Sequence, residues 1–295
     1  NSRIRSFVFA FLVAAAVGQQ FFNANIFRRD WEKQQQIYWQ LSWRIPALKA
    51  GTAILTDELA IDYETDLSFI APVNWMYAPE YTQGDLPYAL VYTTTRLGKS
   101  SLPSLEPDTE IFMGMRAADF YGSTSQVIVI HMPENGCLHV LDPALGDQVT
   151  YSKQAKLLVD VIPLSDPGLI DVHSTRTPQI AFVPEPAHTW CYYYTKAELA
   201  RQQGNWPEVV DLHNEAISLG YKPGDPFEWL VFIEAQGMTG NVTVAEELSD
   251  TAIKEDARIR PGVCQVWERV QAASPARSEI PSTLDQFPMK FDCAP

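Results

Sequence analysis

The chain opens on an uncharged stretch from Ser6 to Phe27, 22 residues, whose first half, Phe7 to Val17, is continuously apolar. A helix of that length reaches roughly 33 Å, enough to cross a bilayer core. Its second half is weaker, with Gln19, Gln20, Asn23 and Asn25. Residues 1–27 therefore read as a transmembrane helix or as a signal-like segment with Ala14-Ala15-Ala16 as its small-residue cleavage site. A buried soluble helix is the bland third reading. From 26 to 45, Phe27, Trp31, Tyr38, Leu41 and Ile45 recur near helical spacing and predict an aromatic helix that Pro46 ends. Trp and Tyr at this point suit a membrane–water interface, and equally the first core helix of a globular domain.

The pattern then shortens. Thr52–Thr56, Tyr88–Tyr92, Glu110–Arg116, Gln126–His131 and Cys137–Leu141 predict strands. Pro133-Glu134-Asn135-Gly136 has the turn chemistry to join the last two, and Tyr121 to Ser125 reads as the turn before them. The expectation is an antiparallel meander in an α+β, or mixed α/β, domain over 28–160. Residues 161–189 carry Pro163, Pro167, Pro178, Pro184 and Pro186, which oppose regular helix and central strand, so a linker and domain boundary are expected there.

Beyond the linker the period becomes helical and a repeat emerges over 190–273. Gly204-Asn205 recurs as Gly240-Asn241, a spacing of 36. Helices are predicted over 190–203, 206–219, 227–236, 243–253 and 262–272, with Tyr221 to Pro226 as stop and restart. These residues resemble the tetratricopeptide repeat. Tyr193 stands at its early aromatic position, Ala197 at the small contact position and Ala216 at the late alanine; Trp229, Ala245 and Ala252 do the same in the second unit. Val209 and Ile233 depart from the pattern, and the linker is two residues too long. The resemblance implies helix pairs with a concave face that grips a protein or peptide partner. Its inner-face residues would be Tyr194, Glu198, Arg201, Glu228 and Glu234. The tail, 274–295, carries Pro275, Pro281, Pro288 and Pro295 and is expected to run extended.

Charge adds topology. The first 45 residues carry six basic side chains against Asp30 and Glu32, a balance of +4, which leaves −18 of the net −14 to the remainder. The acidic bulk argues against nucleic acid as partner. Both membrane readings place that bulk outside the cytoplasm. Arg28-Arg29 opposes this orientation, but long domains translocate with little regard to such charges. The four cysteines, at 137, 191, 264 and 293, form no CxxC pair. Outside the cell an even count permits disulfides, with Cys264–Cys293 the best pair because it would pin the tail; four buried thiols are the alternative.

Candidate chemistry is sparse. There is no Walker loop, GxGxxG, HExxH or GxSxG, and no cofactor is expected. His131 and His139 flank the predicted turn; as cross-strand neighbours they are candidate metal ligands or plain polar sheet positions. Asp57-Glu58 follows a predicted strand, a position used by catalytic carboxylates and by turn residues alike. Asp62, Glu64 and Asp66 extend the acidic run without an EF-hand glycine. Asn74 to Tyr77 and Tyr192 to Tyr194 offer stacking or packing surfaces. Arg96 and Arg116 are candidates for ion pairs within the sheet domain.

Three functions follow as expectations. The first is a membrane-anchored extracytoplasmic interaction or scaffold component, not itself an enzyme. The second rests on layout: apolar helix, aromatic juxtamembrane helix, mixed domain and helical tail resemble the C-terminal end of bacterial multi-pass membrane glycosyltransferases that use lipid-linked sugars. In that family the catalytic acids lie in early extracytoplasmic loops that match nothing in this sequence, so the resemblance implies an accessory domain. The third is a structural subunit of a membrane or surface assembly.

Overall fold

The computed structural model describes residues 2–57, 59, 61, 65–82, 84–115, 117–175, 178–180, 183–273 and 290–293. Helix α1 (Ser2–Arg44) is continuous for 43 residues, so the expected boundary at residue 27 falls inside one helix. No proline lies between the apolar stretch and the aromatic one, and the helix runs unbroken through Gly18. The two halves differ in surroundings. Phe7, Phe9, Phe11, Leu12, Val17, Phe21 and Phe22 stand exposed, whereas Ile37, Tyr38, Leu41 and Ile45 just beyond its end are buried.

The remaining elements run β1 (Ala53–Thr56), α2 (Asp66–Tyr77), β2 (Ala89–Tyr92), α3 (Thr93–Arg96), β3 (Glu110–Gly114), β4 (Asp119–Ser123), β5 (Val127–His131), β6 (His139–Leu141), α4 (Asp147–Thr150), α5 (Lys156–Val161), α6 (Trp190–Gln202), α7 (Trp206–Ser218), α8 (Leu230–Met238), α9 (Val242–Glu255) and α10 (Arg260–Ala273). The fold is α+β. One sheet has the order β2-β1-β5-β6, with β1 parallel to both β2 and β5, and β6 antiparallel to β5. A separate ribbon pairs β3 with β4.

This corrects the expected meander. The turn Pro133–Gly136 does close the β5–β6 pair, but Tyr121 to Ser123 belongs to strand β4 rather than to a turn. Gly122 is there for space: a Cβ would lie 2.5 Å from the Phe120 ring. Helix α2 was absent from the expectations, since Pro72 sits inside it. It is the crossover that makes β1 and β2 parallel. Asn74 ties it down, donating to Tyr88 O (2.8 Å) and accepting from Tyr88 N (3.1 Å). At the helix start Asp66 takes both Nε (2.8 Å) and Nη2 (2.6 Å) of Arg96.

The side-chain period of two sorts the strands between two cores. Ala53, Leu55, Ala89, Val91, Val127 and Val129 face a cluster shared with Trp190, Tyr194, Phe232, Val263 and Trp267 of the helical region. Ile54, Leu90, Tyr92, Ile128 and Ile130 face the other way, onto Ile37, Tyr38 and Leu41 of α1 and Phe69, Val73 and Met76 of α2. The sheet is thus a partition, buried on both faces.

Residues 161–189 do not open a gap in this core. Ser165 Oγ accepts from Val129 N (2.9 Å), Asp166 N donates to Val127 O (2.8 Å), and Gln179 N reaches Met76 O (3.0 Å). The prolines prevent regular structure as expected, and short 3-10 turns let the segment hug the sheet instead. In the helical region α6 packs on α7, α7 on α8, α8 on α9 and α10 on α8. Gly204 (φ +75°) and Gly240 (φ +88°) close α6 and α8 in the left-handed region. The next residues, Asn205 and Asn241, each donate five residues back, to Ala200 O and Gln236 O. Disulfides join Cys137 to Cys191 and Cys264 to Cys293. Most of the tail lies outside the described residues.

Candidate functional site

Because β1 is flanked by β2 on one side and β5 on the other, the carboxyl ends of β1 and β5 meet where the strand order reverses, the place at which open parallel sheets characteristically bind ligands. Two titratable groups meet there. Asp57 follows β1, His131 ends β5, and Asp57 Oδ1 lies 3.4 Å from His131 Nδ1. Thr94 Oγ1 donates to Asp57 O (2.8 Å). Glu58, like Asp62, Glu64 and Arg116, lies outside the described residues.

Behind this pair sits His139, cross-strand from His131 with the rings 6.4 Å apart. Its Nδ1 is 2.7 Å from the Tyr194 hydroxyl and 3.1 Å from that of Tyr151. Burial, helped by the charges of His131 and Arg201, holds its pKa down to about 3, so the imidazole is neutral. Burial pushes both tyrosines well above their ordinary range, so they keep their protons, and both hydroxyls lie within hydrogen-bond reach of the ring nitrogen. Among the described residues no group of three or more His, Cys, Asp or Glu side chains could hold a metal ion. The two histidines are sheet neighbours, one tied to a carboxylate and one to tyrosines.

Glu228 is fully buried where the sheet meets the helices. It accepts from Cys137 N (2.6 Å), Trp190 Nε1 (2.6 Å) and Gly224 N (3.2 Å). Cys137 is one half of the Cys137–Cys191 bridge and Trp190 directly precedes the other, so Glu228 and the disulfide staple the same junction. Burial raises the Glu228 pKa to about 8, with the donors of Cys137 and Trp190 opposing the rise.

A second ionic cluster lies deeper. Arg201 Nη2 contacts Glu198 Oε2 (2.5 Å), and Arg269 embraces Glu234 through Nε (2.7 Å) and Nη2 (2.9 Å). Arg269 Nη1 also reaches Leu145 O (2.5 Å). Asp147 accepts from Asp142 N (2.7 Å), and burial lifts its pKa to about 7. Arg44, at the end of α1, is buried without a partner on Nε or Nη1. Burial lowers its pKa to about 10, against the opposing pull of Glu198.

These positions correct the expected partner surface. Tyr194, Glu198, Glu228 and Glu234 are buried, and Arg201 is nearly so. The inner face of the helix pairs is covered by the chain's own residues 137–151, which pack between α6, α8 and α10. Glu198, Arg201 and Glu234 are held by partners of opposite sign and Glu228 by neutral N–H donors, so none is displayed to a ligand. Of the tyrosine triplet only Tyr192 is partly open, stacked on His188 with centroids 3.5 Å apart. In the other aromatic run Trp75 is exposed while Asn74 and Met76 are buried. Arg44, Asp147, Tyr151 and Arg269, and the Cys137–Cys191 bridge, were missing from the expected site. Only the buried helical register of 262–272 hinted at one of them.

The sequence matches no protein-family model and no curated protein, and no solved structure resembles the fold. Chemically, the Asp57–His131 pair can share and relay a proton. All four cysteines are bridged, so no thiol is available as nucleophile or ligand. The clusters around Glu228 and Glu234 act as clamps between sheet and helices.

Proposed function

We propose that this is a membrane-tethered protein whose globular part lies outside the cytoplasm and serves as an interaction or scaffold component. The observation that carries the reading is the division of α1. The part up to Phe27 presents large apolar side chains all around to solvent, which water does not tolerate and lipid does. The part from Ile37 is built into the core, so tether and domain form one rigid unit. An 18-residue window of this helix has mean hydropathy 1.6. Two disulfides support an oxidising compartment. The recurrence of Gly204 and Gly240 at corresponding helix ends supports the tetratricopeptide-like reading of 190–273. With the inner face self-filled, partner contact falls to the outer helices, where Ile217, Leu219 and Val244 are exposed.

Alkaline extraction of membranes from expressing cells tests the tether. The full chain should stay in the pellet, and a Phe11→Arg, Ala15→Arg variant should move to the supernatant. Full release of the unmodified chain would defeat the proposal.

A further inference from the structure

We propose that the membrane half of α1 docks a second transmembrane helix along Gln19 and Asn23, a helix that carries amide or hydroxyl side chains at the same depth and is not a parallel copy of α1. The inference rests on the membrane reading of this helix. Ile26, Asp30, Gln34, Ile37 and Leu41 recur every three or four residues and are all buried, so they lie along one face of α1. Between Ile26 and Gln34 every residue other than Asp30 is exposed, so over that stretch this face alone is covered. Toward the N-terminus the same spacing reaches Asn23, which is half-buried, then Gln19 and Ala16, with Gln20 alongside. The polar stripe of the membrane half is thus the continuation of a face already used for packing.

Lipid leaves these amides short of partners. Gln19 Nε2 donates to Asn23 Oδ1 (2.9 Å), which leaves the Gln19 carbonyl and the Asn23 amino group unbonded, and Gln20 makes no side-chain hydrogen bond among the described residues. Asn25, off the stripe, donates to Phe21 O of its own helix (2.9 Å). Arg5 and Arg28 are 23 residues apart, about 34 Å of helix, so a hydrocarbon core of about 30 Å fits between them with little slack. Asn23 and Gln19 then lie about 6 and 12 Å inside Phe27. Sliding the helix outward far enough to wet Gln19 would draw Arg5 into the hydrocarbon. Amides at that depth face other helices rather than lipid, and amide or hydroxyl partners answer both the free carbonyl and the free amino group. A second copy fails on steric grounds. Further along α1 the same face carries α2 and the sheet through Ile37 and Leu41. In a symmetric parallel pair joined along it, both globular parts would project into the one space above the contact. The occupant is therefore a different helix, whose extracytoplasmic end stays clear of that space.

The test places the dye-labelled full chain in phosphatidylcholine vesicles. The probe is a synthetic leucine–alanine transmembrane peptide of about 23 residues bearing one asparagine about six residues from one end, and the same peptide without the asparagine is the control. Flotation comes first: a chain that does not float with the vesicles overturns the membrane reading and this proposal together. In floating vesicles, energy transfer should show the asparagine peptide associating about tenfold more tightly than the control. Gln19→Leu with Asn23→Leu should remove that difference, and Asn25→Leu should leave it intact. Chains carrying donor and acceptor dyes should associate with each other no more than the Gln19→Leu, Asn23→Leu chains do. No preference for the asparagine peptide, an equal loss from Asn25→Leu, or self-association that Gln19→Leu with Asn23→Leu abolishes would each overturn the docking face while leaving the membrane reading standing.

Discussion

Glu228→Gln should flatten part of the pH dependence of stability. In the unfolded chain this carboxyl titrates near 4.5, and in the folded protein near 8. Between those values the folded state holds a proton that the unfolded state has lost, so stability is greatest at the acid end and falls as pH rises toward 8. For those two values the loss between pH 5 and pH 8 amounts to about 3–4 kcal/mol. Glutamine cannot release a proton and abolishes this component. It also sets an amide N–H against one of the three donors now served by Cys137, Trp190 and Gly224, a fixed cost of about 1–3 kcal/mol. Urea denaturation every half unit from pH 5 to pH 8, with disulfides intact, would measure the difference between the two proteins. Contributions from Asp147 and His139 are common to both and cancel. The variant should be the less stable at pH 5, and the gap should close or reverse by pH 8. Two parallel pH profiles would refute the buried-acid reading.

Replacing Cys137 and Cys191 together by serine opens a loop of 54-residue separation, and equilibrium denaturation should show a loss of about 4 kcal/mol. Arg269→Ala takes both close donors from the buried Glu234 carboxylate, leaving it Arg201 Nη1 at 3.9 Å, and should cost about 3 kcal/mol, while Arg269→Met with Glu234→Met should recover most of it in a double-mutant cycle. A Cβ on Gly224 would fall 1.9 Å from Asn135 O; Gly224→Ala should therefore push the Pro133–Gly136 turn away and lower stability by about 1–3 kcal/mol in the same assay.

Much of the architecture was legible wherever the signal is local. The β-branched runs marked β1, β2, β5 and β6, and Gly204 and Gly240 marked the helix ends, because strands and helix caps depend on residues a few places apart. Pairing was less legible. The centre of the sheet is β1, which draws β2 and β5 from either side across long connections, and Pro72 hid the helix that makes one of those connections possible. The site misled for a related reason. Glu198, Arg201 and Glu234 carry a helical pattern that reads as a solvated face. Their burial depends on Asp147, Leu145 and Arg269, which lie 35 or more residues away from at least one of them. A charged residue's place inside or outside cannot be read until its counter-ion is known. The Cys137–Cys191 pairing was hidden in the same way, since only the fold brings the β5–β6 turn beside the start of α6.

The central claim is that one helix serves lipid at one end and core at the other. Amide hydrogen exchange on the full chain in lipid nanodiscs tests it most directly. Amides of residues 6–27 should exchange at least a hundredfold more slowly than those of the exposed helix α7, as slowly as the core-packed stretch from Ile37 to Arg44. Exchange over 6–27 at the rate of α7, with 37–44 still protected, would contradict the account.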